Sequence, residues 1–129
     1  MRRAIYRALS DFAASRSLPI AFPNADPPDT SAPHLRVSTL PVPPDVRGVN
    51  TGEARYVWLV QVSCFVRDGG GEITALAHLD ALREAYPYAY EFAGDERRFQ
   101  VTAPLAIAPP VALPGWLSIP GTLRVQTFD

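Results

Sequence analysis

Proline sets the strongest limits on this chain. Eight of its 14 prolines fall between Pro19 and Pro44, and four more (Pro104, Pro109, Pro110, Pro114) crowd the stretch from Ala103 to Pro114. Each fixes φ, lacks a backbone donor and pushes its predecessor out of the helical region, so neither stretch can be a helix. Both read as extended, irregular excursions. Apolar anchors within or beside them, such as Phe22, Ile107 and Val111, mark them as ordered coil rather than disordered linker.

Regular structure is legible between the prolines. Ile5, Ala8, Leu9, Phe12 and Ala13 recur at steps of three and four, with Arg7, Ser10 and Asp11 off the stripe, which predicts a helix over Ala4 to Ala14. His34 to Leu40 is a Pro-free island and predicts a first strand, with Leu35, Val37 and Thr39 on one side and Arg36, Ser38 and Leu40 on the other. Pro41 to Gly52 is turn-rich and too long for a tight hairpin, which predicts a projecting loop. In Arg55 to Arg67, Tyr56, Trp58, Val60, Val62, Cys64 and Val66 share one uninterrupted apolar face. Such a strand belongs inside a sheet.

Asp68-Gly69-Gly70-Gly71 stops that strand and reads as a turn into a second helix, Glu72 to Tyr86, with Ile73, Leu76, Ala77, Leu79 or Asp80, and Leu82 at helical spacing. Tyr88 to Phe92 and Arg97 to Thr102 predict a hairpin, and Trp116 to Phe128 predicts a strand pair or one strand broken near Pro120-Gly121. The order predicts an α+β two-layer sandwich: one domain over residues 1–129, a mostly antiparallel sheet, and two helices on one face. A chain of 129 residues can bury about two thirds of its surface on folding, enough for one core.

Composition narrows the chemistry. The 12 basic residues are all Arg, so lysine catalysis and a phosphate-loop lysine are ruled out. The net charge of -1 gives no sign of the basic stripe that counterion-driven nucleic-acid binding needs, and no specific nucleic-acid binding is expected. No apolar run reaches the 18 or so residues that span a bilayer, so no membrane partner is expected. A lone cysteine, Cys64, excludes an internal disulfide and reads as a buried small hydrophobe. Met1-Arg2-Arg3 resembles a leader's start, but Arg7, Ser10 and Asp11 occupy the place of its apolar core, so a soluble chain made in the cytoplasm is expected.

Candidates for catalysis are few. His34 and His78 are the general-base candidates, and neither has an acidic residue at a motif-like offset; His78 reads as a helix-surface or hydrogen-bonded residue. The glycine run lacks both phosphate-loop spacings. Tyr86, Tyr88, Tyr90 and Phe92 read as one side of a strand, a sheet packing surface before a stacking platform. No enzyme activity, metal or cofactor is expected. Proline-restricted loops lose little entropy on docking, which suits subunit contacts.

The layout resembles the phage tail terminator-like proteins related to the minor tail protein U of lambda-type phages. The resemblance rests on the first helix, Leu18-Pro19, Pro33-His34-Leu35-Arg36-Val37, the strand Arg55 to Val66, the Gly69 to Tyr86 turn and helix, and Trp116-Leu117-Ser118-Ile119-Pro120. Gly121-Thr122 departs from the β-branched residue that pattern has after the proline. The resemblance implies a phage or prophage structural protein that caps the head-proximal end of the tail tube as a homo-oligomeric ring, usually a hexamer. Its partners would be the major tail tube protein and a head-completion or connector protein, and it would be made in the host bacterial cytoplasm. The expected ring or tube contacts are Pro44, Arg47, Asn50, Glu53, Arg55 and Trp116. Trp116 and Trp58 read first as core residues, and Arg47 and Glu53 equally as solvated loop. The alternatives are another neck protein, or a small-molecule-binding α+β enzyme using His34 and His78.

Overall fold

The computed structural model describes residues 2–23, 33–46, 54–67, 71–92 and 98–128. The elements run α1 (Arg2–Ser15), β1 (Ile20–Ala21), β2 (His34–Val46), β3 (Ala54–Arg67), α2 (Glu72–Ala85), β4 (Glu91–Phe92), β5 (Arg98–Ile107), β6 (Val111–Leu113) and β7 (Trp116–Phe128). The strands form one sheet in the order β1-β2-β3-β7-β5-β4, with β6 also on β7. All pairs are antiparallel except β1 with β2. The fold is α+β, with the strands curling into a half-barrel.

Helix α1 forms on the stripe its sequence predicts: Ile5, Leu9, Phe12 and Ala13 are buried while Arg7, Ser10 and Asp11 are exposed. It stops before Pro19 because Ser17 turns left-handed at φ 56° and Leu18 N–H reaches back to the Ala13 carbonyl at 2.9 Å. That closure is usually built on glycine.

β3 is interior, flanked by β2 and β7. Val60, Val62, Cys64 and Val66 are buried and join Leu9, Phe12, Leu79, Leu82, Ile119 and Leu123 in one core, so both helices pack side chains into the same cluster. Burial pushes the Cys64 thiol up to about 11, which keeps it protonated and inert. Trp58 and Trp116 do not join this buried cluster; both are half-buried. Trp58 sits towards the hairpin end of β3, and Trp116 projects from the other face of the sheet, in register with Arg67.

Three proline-rich stretches are more regular than their composition suggests. β2 runs on through Pro41, Pro43 and Pro44 to Val46, with a register shift between Val42 and Asp45. The predicted loop therefore begins later than Pro41, and residues 47–53 lie outside the described part. β5 likewise runs through Pro104, with shifts at Val101/Ala103 and Ala103/Ala106 that absorb the missing donor. β7 is one unbroken strand through Pro120 and Gly121. The Pro120 carbonyl accepts from Ala108 N–H at 2.8 Å, so its nitrogen faces the gap between β5 and β6, where no strand requires a donor.

Two glycines fix the packing of α2. A Cβ on Gly71 would lie 2.6 Å from Val66 Cβ, and one on Gly121 would lie 3.3 Å from Leu79 Cδ2. This close seating sets the helix phase. Ala75, Leu79 and Leu82 face inward, and Tyr86 follows one turn on, whereas Ile73 and Ala77, expected on the stripe, are exposed.

Candidate assembly surface

Register divides the side chains of β2, β3 and β7 between two faces. The inner face is the core just described. The outer face carries Arg36 and Ser38 on β2, Gln61, Ser63, Phe65 and Arg67 on β3, and Trp116, Thr122 and Arg124 on β7, with aliphatic Leu40, Leu59 and Val57 towards the hairpin end. Strand alternation is the only signal needed to find it.

One end of this face is tightly built. His34 is 1 % exposed, its ring stacked on Phe65 at 5.0 Å and edge-on to Trp116 at 5.3 Å. The Arg36 guanidinium lies 4.7 Å from the centre of the Phe65 ring, and that of Arg67 lies 4.3 Å from the centre of a Trp116 ring. Arg36 Nε–H donates to His34 Nε2 at 3.3 Å, so that nitrogen carries no proton. Two exposed arginines thus each set a guanidinium over an aromatic ring. The sequence places His34 before a strand and Trp116 in another segment; only the fold brings them together.

Of the expected contact residues, Trp116 is therefore half-buried on the outer face rather than in the core. Arg55 stands opposite Asp45 at the far end of the β2–β3 hairpin, and Pro44 falls at the register shift beside it; the side chains of both lie outside the described part. Arg47, Asn50 and Glu53 also lie outside the described residues. The backbone of Pro44 and Arg55 lies at the opposite end of β2 and β3 from Trp116.

The two histidines do not share a site. His34 packs on the outer face, whereas His78 lies on α2, where Arg16 Nε–H donates to its Nδ1 at 3.0 Å. Partial burial and the Arg16 charge hold His78 below its ordinary range. Among the described residues no group of three or more His, Cys, Asp or Glu is placed to hold a metal. The tyrosine run is not a strand: Tyr90 N–H closes a turn on the Pro87 carbonyl at 3.0 Å, and Tyr86, Tyr90 and Phe92 pack on one another at 5.0–5.3 Å. Tyr86 and Phe92 are buried while Tyr88 and Tyr90 are exposed, so the four rings do not share one strand side.

Comparison with known proteins places this architecture. One solved structure, of a protein with no function in its name, superposes with a TM-score of 0.84 at 22 % identity, covering 99 % of this chain and 93 % of that one. A chain from the virion of a native gene transfer agent particle superposes with a TM-score of 0.65 at 18 % identity, covering 98 % and 93 %. At these identities the likeness is one of fold. No curated protein sequence matches. The model of the family described as phage tail terminator protein matches residues 1–124. A match over nearly the whole chain, on a fold that a virion protein shares, means that this chain belongs to the phage tail terminator family and is a structural protein of the phage tail.

Proposed function

We propose that the chain caps the head-proximal end of the tail tube as a closed ring, stops tube growth and offers the surface on which the head is joined. The observation that carries this reading is the family match over residues 1–124. Physically the role requires a heterologous contact that closes by rotation, and two unlike axial surfaces, one accepting a tube end and the other refusing a further tube ring. An asymmetric protomer supports it. In this reading the helices form a layer on one face of a two-layer sandwich, the long β2–β3 hairpin supplies contacts through Pro44, Arg47, Asn50, Glu53 and Arg55, and Trp116 supplies an anchor. Six copies, the tube protein and a head-completion protein are the proposed partners.

The test is a phage or prophage deleted for this chain. Overlong tails without heads, restored to normal length by the supplied protein, are the expected result. Tails of normal length that fail only to join heads would instead make this chain a different neck component.

A further inference from the structure

We draw no further inference here: the strongest candidate, the exposed arm around β6 at residues 108–115, which bears no polar side chain, is an apolar surface and nothing in the structure shows what covers it.

Discussion

The Tyr86 hydroxyl donates a 2.8 Å hydrogen bond to the carbonyl of Ala8, 78 residues earlier, and so ties the end of α2 to the middle of α1. Burial, with Tyr90 and Asp11 nearby, pushes this phenol up to about 12. The unfolded chain loses that proton near pH 10, so stability is full below pH 10 and falls as pH rises towards 12. Tyr86→Phe is expected to cost about 1 kcal/mol at neutral pH and to weaken this alkaline loss. Thermal melts at pH 8 and pH 11 check both; an unchanged pH 11 deficit in the variant would refute the assignment.

His78 gives the opposite limb. Its native pKa is lowered, so the unfolded chain binds more protons once pH falls below about 6.5, and stability declines on acidification until the native imidazole also protonates. Protonation further sets an N–H at the Nδ1 that accepts from Arg16. His78→Gln should flatten the melting temperature between pH 6.5 and 5. A histidine resonance for residue 78 that titrates at or above 6.5 would contradict this.

Gly71→Ala is expected to destabilise the fold by about 1–3 kcal/mol, because the new methyl would meet Val66 Cβ and Cγ2 at 2.6 and 2.8 Å. The clash is with a buried strand residue, so it cannot be relieved at the surface. Combining Gly71→Ala with Val66→Gly, which removes the Cβ that the new methyl would meet, should cost less than the sum of the single changes. Denaturant unfolding of the four proteins measures the coupling; additivity would show that the contact does not decide the seating of α2.

Ala89 sits at φ 71° as the third residue of the turn from Pro87 to Tyr90, a position that favours glycine. Its side chain is exposed, so little packing is lost on replacement. Ala89→Gly should stabilise the protein by about 0.5–1 kcal/mol despite the added freedom of the unfolded chain. A lower melting temperature would count against the left-handed assignment.

Periodicity carried much of the architecture in advance. The apolar alternation of β3 and the α1 stripe are direct imprints of burial, and Gly71 marked the turn into α2. Proline misled at three places, because its cost depends on which side of a strand needs a donor, and the sequence does not show that Pro120 faces a gap in the neighbouring strands. The His34, Phe65 and Trp116 cluster was invisible for a related reason. Its members come from three strands, and their contact depends on register.

Beyond Ala21 and Arg36, no described strand lies alongside the outer border of β2, and that border continues through Pro41, Pro43 and Pro44 to Val46. Three imino acids in four positions leave this rim rich in acceptors and poor in donors. A stray chain seeking to add on finds few of the rungs it requires. The residues that lengthen the hairpin thereby also guard its border against fibrillar stacking.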